Sequence, residues 1–336
     1  MSRQDRYSRQ IVLGQIGKAG QKKLLDAHVT VVGLGALGTV SATLLARAGI
    51  GYLTLIDRDV VELVNIQRQV LYGEEDIGQP KALTAAEALR RVNSSIRVEG
   101  MAKDVNHATV MDLLAGSHMV IDGTDNLETR FLINEACVES GAPWVYGGAI
   151  GTEGRVMMIV PGKTACFRCF TRGRPAPGLL PTCETVGILN SVAAATASLQ
   201  VTEAVKLLVG EKPSGMLSVL DGWTPELLRI KVERGKDCPV CVGGKREFLG
   251  GKRTQVVAAL CGQNTISFDP LHTGDIDLAG LAKRLKKIGK VKVAGPILLF
   301  EVSGYELTVF QDGRALIKGT DSPGTARSLY SKYIGL

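Results

Sequence analysis

Apolar positions in the first half of the chain come in short runs that alternate with stretches of helical periodicity. Residues 28–33 read as a buried strand, 34–48 as a glycine turn leading into a helix, and 49–51 as its stop. Residues 52–57 form a second strand, 81–92 a helix, and 96–100 and 119–122 two further strands. Residues 143–146 and 155–160 add two more, and the Ala-rich apolar stretch 189–209, closed by Gly210, reads as a core helix. Strands interleaved with helices predict an α/β fold, a doubly wound, mostly parallel, Rossmann-like sheet. Residues 5–25 read as a polar helical arm ahead of it. Residues 171–181, with Gly173, Pro175, Pro177, Gly178 and Pro181, read as a mobile loop.

Beyond a Gly/Lys/Arg-rich linker the pattern changes. A strand near Ile266, a helix over 278–288 and strands at 297–302, 306–310 and 315–318 predict a small α+β unit, with Tyr305 and Asp312-Gly313 at turns. The expected division is 1–244, a linker at 245–252, and 253–336. At 336 residues the chain is long enough for two domains. Its 45% hydrophobic and 22% charged residues are ordinary for a globular protein. No run approaches the roughly 20 apolar residues of a membrane span, and the first residues lack the apolar core of a signal peptide. The expectation is a cytoplasmic protein without a membrane. In a reducing compartment seven cysteines favour metal binding or free thiols over disulfides. The net charge of +7 suits anionic partners, but with 5% aromatics and no basic run interleaved with them, nucleic acid is not the expected one.

Three groups of residues carry chemistry. Gly33, Gly35 and Gly38 follow a strand and open a helix, and Asp57 ends the next strand 19 residues later. Glycines let a backbone approach a phosphate at a helix N-terminus, and the acid can bind ribose hydroxyls. That turn alone does not separate NAD from ATP, so an NAD-dependent dehydrogenase stays open on it. Arg68, Lys81 and Asp125 change the balance. Hydride transfer has little use for two added cations, whereas breaking a triphosphate uses cations on its oxygens and a carboxylate for Mg²⁺. Finally, Cys166/Cys169 and Cys238/Cys241 are two Cys-x-x-Cys pairs with 68 residues between them. They supply the four thiolates of a closed, structural Zn²⁺ site. Disulfides or four buried thiols are the bland alternative, and a zinc-ribbon nucleic-acid-binding protein the functional one.

Taken in order, Arg6-Tyr-Ser-Arg9-Gln10, the Gly33–Gly38 turn, Asp57-Arg-Asp59, Asn65-Ile-Gln-Arg68-Gln69, Lys81, Thr124-Asp-Asn126 and both Cys pairs resemble the ThiF/MoeB family of adenylyltransferases, relatives of the ubiquitin-activating enzymes. The likeness runs from about Arg6 to Cys241. It implies ATP- and Mg²⁺-dependent adenylation of the C-terminal glycine of a ubiquitin-like sulfur carrier (ThiS- or MoaD-like, ending in Gly-Gly), with release of pyrophosphate. The product would feed thiamine or molybdopterin biosynthesis, tRNA thiolation or a ubiquitin-like modifier. The resemblance further implies nucleotide contacts from Gly33, Gly35, Ala36, Gly38, Asp57, Asp59, Asn65, Arg68, Lys81, Asp125 and Asn126. Arg9 would reach a partner subunit's site, which implies a homodimer. Cys183 would link covalently to the carrier, as a thioester or acyl disulfide, or else be an exposed, unreactive thiol; a sulfur donor such as a cysteine desulfurase or rhodanese would be a further partner. Ala36 stands where many members have glycine, and a negative φ would make it tolerable. The chain ends Ile334-Gly335-Leu336, so 253–336 is expected not to be a fused carrier. Cys137 and Cys261 are expected in the core.

Overall fold

The computed structural model describes residues 6–171, 173, 183–251, 256–260, 265–270, 275–295 and 297–335, with 183–184 and 256–260 described through the backbone alone. These fall into two compact units: Met1–Asp125, Thr129–Arg172 and Leu189–Leu249 make the first, and Asn126–Glu128, Gly173–Ile188 and Gly250–Leu336 the second.

Eight strands form the sheet of the first unit: β1 (His28–Val32), β2 (Tyr52–Ile56), β3 (Arg97–Met101), β4 (Met119–Asp122), β5 (Trp144–Ile150), β6 (Glu153–Ile159), β7 (Met216–Asp221) and β8 (Glu226–Lys231). They lie in the order β3-β2-β1-β4-β5-β6-β7-β8. β3 through β5 pair in parallel, and β5 through β8 antiparallel. The strand order reverses at β1, which opens a crevice at the C-terminal ends of β1 and β4.

Helices Ala36–Ala48 and Lys81–Val92 carry the chain from β1 to β2 and on to β3, while helix Leu127–Ser140 carries it the other way, from β4 to β5. Right-handed crossovers therefore put Leu127–Ser140 on the opposite face of the sheet. The long helix Asn190–Val209 shares the first face, where its Val201 and Ala204 join Leu45, Ala46, Ala82 and Ala86 in one core. On the other face Phe131, Trp144, Tyr146, Phe167 and Phe248 meet ring to ring. Side chains alternate along β5, so Trp144 and Tyr146 serve this aromatic cluster and Val145 the aliphatic core.

Asn190–Val209 is apolar and long enough to cross a membrane by composition, which the sequence reading did not expect of any segment. Its Val192, Ala193, Ala197 and Ala204 are buried in the unit. The arm is two helical pieces, Ser8–Ile11 and Gly17–Asp26, rather than one. Helix Leu127–Ser140 and the β7–β8 hairpin were not anticipated. Of residues 171–181, only 171 and 173 are described.

The second unit has six antiparallel strands, β9 (Val256–Leu260), β10 (Thr265–Asp269), β11 (Lys290–Ala294), β12 (Ile297–Val302), β13 (Tyr305–Phe310) and β14 (Ala315–Lys318). Alternate residues Ile266 and Phe268, Leu298 and Phe300, and Leu307 and Val309 build its core with Leu281, Leu285 and Tyr330 of helices Leu278–Leu285 and Pro323–Tyr333. β9, β11 and the last helix were not foreseen, and Tyr305 opens β13 instead of sitting in the turn.

Candidate active site and metal centre

β1 runs into Gly33, whose φ of 85° would strain any side chain. Gly33, Gly38 and Gly123 interlock: a Cβ on Gly38 would lie 1.8 Å from the Gly33 oxygen, and one on Gly123 2.4 Å from the same atom. These two glycines let the helix and the β4 loop close on the turn. Gly35 is different. A Cβ there would meet nothing nearer than Gln69 Nε2 and the Gly123 oxygen, both at 3.9 Å. Neighbouring atoms give no reason for glycine here, so the absent side chain leaves space for a ligand. Gly35 caps helix Ala36–Ala48 without a side-chain hydrogen bond, which leaves the first N–H groups of the helix available to a ligand there. Ala36 is the first helical residue and has no positive φ, so its methyl is accommodated.

Asp57 follows β2. Its Oδ2 accepts from Leu34 N at 2.6 Å and its Oδ1 from Asp59 N at 2.8 Å. Burial pushes this carboxyl up, and Lys81 opposes the shift. Lone pairs left over after those two bonds could accept ribose hydroxyls. Lys81 opens its helix on the Asp59 carbonyl, at 3.0 Å from its amide N. Its side chain is 8% exposed, and its ammonium stands 3.7 Å from Asp59 Oδ2, beyond hydrogen-bond distance. A buried ammonium held this loosely can turn to an incoming anionic oxygen. Arg58 is engaged by Asp104 at 2.7 Å. Arg68 is part-exposed, with Nη1 resting on the Val64 carbonyl at 2.9 Å. Asn65 is buried and accepts from Gln69 Nε2 at 2.9 Å, the same nitrogen that faces Gly35.

Direct contacts thus link Leu34, Asp57, Asp59 and Lys81 in one chain and Gln69 with Asn65 in another that borders the space at Gly35, at one end of the sheet. Asp125 is exposed two residues beyond Gly123, and Asn126 leads into helix Leu127–Ser140. Arg9 is exposed on the arm, which Tyr7 and Gln10 anchor: Asn93 Nδ2 donates to Tyr7 OH at 2.9 Å, and Gln10 Nε2 to the Ala48 carbonyl at 2.9 Å. Arg9 makes no described contact with the cluster. Cys183 starts a short helix, Cys183–Val186, and its side chain lies outside the described residues, as does Cys261. Cys137 is fully buried, and burial raises its thiol pKa. The sequence reading missed Arg58 with Asp104, and a buried pair, Asp122 and Arg130, behind the Asp125 loop.

Cys166, Cys169, Cys238 and Cys241 bring their sulfurs within 4.8 Å of one another. Three of the separations are 3.6, 3.8 and 3.6 Å. Thiolates about 2.3 Å from a tetrahedral Zn²⁺ would stand about 3.8 Å apart, whereas a disulfide needs about 2 Å. The four sulfurs fit the metal and not the covalent bond. Burial and the neighbouring sulfurs raise Cys166 and Cys241, while at Cys238 burial is outweighed by hydrogen bonds that lower the thiol, so a divalent cation is what would hold the two raised thiols as thiolates.

Residues 7–240 match the ThiF family. The chain is 39% identical over 335 residues to the Bacillus subtilis sulfur carrier protein ThiS adenylyltransferase, covering 98% of this chain and 99% of that one. It is 39% identical over 242 residues to the SAMP-activating enzyme E1 of Haloferax volcanii, covering 71% of this chain and 89% of that protein. A crystal structure of Escherichia coli MccB with ATP superposes with a TM-score of 0.62 at 25% identity, covering 70% of this chain and 74% of that one.

Proposed function

The chain belongs to the ThiF family, and we propose that it is an adenylyltransferase that uses ATP to activate the C-terminal glycine of a ubiquitin-like sulfur carrier. One observation carries the reading: the space at Gly35 is empty of protein atoms to 3.9 Å and is faced by the uncapped N-terminus of helix Ala36–Ala48. That is a place for phosphate oxygens. Asp57 would accept the ribose hydroxyls, and Asn65, Arg68 and Lys81 would hold the phosphates. Asp59 would set Lys81, and Asp125 would hold Mg²⁺, with Asn126 beside it in sequence. When bound, Mg²⁺ spreads the charge developing on the phosphate oxygens.

The carrier carboxylate attacks the α-phosphorus in line. A new C–O–P bond forms, the bond to the bridging oxygen breaks, and pyrophosphate leaves with that electron pair. No general base is needed, because a terminal carboxyl with a pKa of about 3.5 is already ionised. Only four histidines occur in the chain, and His28 is engaged by Gly116 and Thr54 at the other end of β1. What opposes the reaction is repulsion between two anions, and fixed cations answer it.

The arm supports a homodimer in which the exposed Arg9 enters the partner's site. The sulfur tetrad supports a structural Zn²⁺ that keeps no position open for substrate. Cys183, as its thiolate, would attack the carrier's acyl-adenylate, forming a thioester and releasing AMP; sulfur carried by a cysteine desulfurase or rhodanese would then displace the Cys183 thiolate. The B. subtilis relative favours a ThiS-like carrier and thiamine biosynthesis; the likeness to a SAMP-activating E1 supports a wider carrier class. The test is pyrophosphate exchange by the purified chain with ATP, Mg²⁺ and ThiS ending in Gly-Gly, with mass spectrometry for the acyl-AMP. Carrier-dependent exchange and a carrier-AMP mass are expected. Failure to bind ATP, with no exchange across ThiS- and MoaD-type carriers, refutes the proposal.

A further inference from the structure

Asp122 ends β4 and is fully buried. Its Oδ1 accepts from Thr124 N at 2.9 Å and Thr124 Oγ1 at 2.6 Å. Its Oδ2 accepts from Arg130 Nε at 3.0 Å and Gly147 N at 3.4 Å. Arg130 reaches further, with Nη2 donating to the Thr124 carbonyl at 2.5 Å and the Gly147 carbonyl at 2.9 Å. Its guanidinium lies 5.3 Å from the centre of the Tyr146 ring. Burial is the largest single influence and works against that charge, yet Asp122, Tyr146 and Asp125 together outweigh it and the pKa of Arg130 rises. One side chain therefore binds the strand end, the loop and the neighbouring strand at once.

The helix bearing Arg130 is itself fixed further along. Asn134 Oδ1 accepts from Phe167 N at 2.9 Å, and Glu135 Oε2 accepts from Phe248 N and Leu249 N at 2.9 Å each. Asp125, by contrast, is exposed and follows directly on Thr124. Its carboxylate has to hold its aim across a loop of only a few residues.

We propose that Arg130 is a positioning residue for the adenylation reaction: its fork to Asp122 and to the Thr124 and Gly147 carbonyls fixes the 123–125 loop so that Asp125 faces the metal and the phosphates. The inference rests on the adenylyltransferase reading. Arg130 touches neither substrate nor metal. Lysine at this position keeps the charge beside Asp122 but has no second nitrogen to bind Asp122 while the first holds both carbonyls.

The test compares the full-length chain with Arg130→Lys and Asp122→Asn. The measurements are carrier-dependent ATP–pyrophosphate exchange with ThiS, titrated with ATP and with Mg²⁺, and Mn²⁺ binding in the presence of ATP by electron paramagnetic resonance. Arg130→Lys should lower kcat by about 10- to 100-fold, as a misplacement of about 1 Å does. KM for ATP should stay within about twofold. Half-activation by Mg²⁺ should move to higher concentration, and Mn²⁺ affinity should fall in parallel. Zinc content and the circular dichroism spectrum should match wild type. Asp122→Asn should move the same quantities less, and it decides the matter if the lysine variant fails to fold. A folded variant with wild-type kcat and Mn²⁺ affinity overturns the proposal; so does a raised KM for ATP at unchanged kcat, which would make Arg130 a nucleotide-binding residue. Wild type without exchange would instead sink the adenylyltransferase reading.

Discussion

Gly38 and Gly35 lie three residues apart in one turn, and the structure gives them opposite jobs. In Gly38→Ala the new methyl falls 1.8 Å from the Gly33 oxygen and 2.8 Å from its carbonyl carbon, so backbone, not a flexible side chain, must yield. The oxygen would have to retreat by more than about 1 Å from a packed turn. Overpacking of this kind costs about 1–3 kcal/mol, and a rigid obstacle puts it near the top of that range. For a unit of this size that is roughly a 5–10 °C fall in Tm. In Gly35→Ala the methyl meets protein no closer than 3.9 Å, and the residue's φ of −81° suits alanine. Its cost to folding is the weaker N-cap, about 1 kcal/mol or less. It occupies the space facing the helix N-terminus, however, and KM for ATP should rise at least about tenfold, or 1.4 kcal/mol. Scanning calorimetry and nucleotide titration on both variants separate the effects. Gly14→Ala, where a Cβ meets nothing within 4 Å, serves as the control. If Gly35→Ala binds ATP like wild type, or Gly38→Ala melts like wild type, the division of labour is wrong.

Three further outcomes are expected. Lys81→Ala should lose pyrophosphate exchange by at least about 100-fold while keeping its circular dichroism spectrum, because the ammonium lies at the helix start with Asp59 at 3.7 Å; retained exchange removes it from the site. Metal analysis should find one zinc per chain, and Cys238→Ser should lose it and lower Tm, since the clamp closes a loop of more than 70 residues whose opening is worth about 4 kcal/mol in a covalent analogue; a zinc-free variant melting like wild type would contradict this. His28 is held neutral by burial foremost, and also by His118 and Arg97. Its folded pKa thus lies below the unfolded value of about 6.5, so the unfolded chain takes up the proton first. Urea stability should be complete above that pH and fall as pH drops below it, with a smaller fall in His28→Asn; an equal fall in both assigns it elsewhere.

Helix Lys81–Val92, β12 and β14 were readable to the residue because each presents one apolar face to one core, and β4 because it is a short run buried on both faces of the sheet. Helix Leu127–Ser140 was not, because it is buried on several sides and places Asn134 and Glu135 inside, which erases the periodic stripe. β8 shows no alternation either: all six of its residues are exposed at the sheet edge. The last helix carries a short local signal, Ser322 capping it and Pro323 at its first position. At the site, glycines, Asp57, Lys81 and the Cys-x-x-Cys pairs have local spacing that betrays them. The fork of Arg130 does not, since its partners lie on two strands and a loop that meet only after folding.

β4 and β5 stop pairing after Ile121 and Val145. From one face of the sheet Gln200 Nε2 reaches the carbonyls of Asp122 and Val145, at 2.8 and 3.2 Å. From the other, Arg130 takes those of Thr124 and Gly147. Two struts of the protein's own thus satisfy the carbonyls of the parted strands. The socket is cut before its guest arrives, and the ordering entropy is spent in folding rather than on association. Backbones of the free and nucleotide-loaded forms should therefore superpose closely here, and rearrangement on binding belongs to side chains.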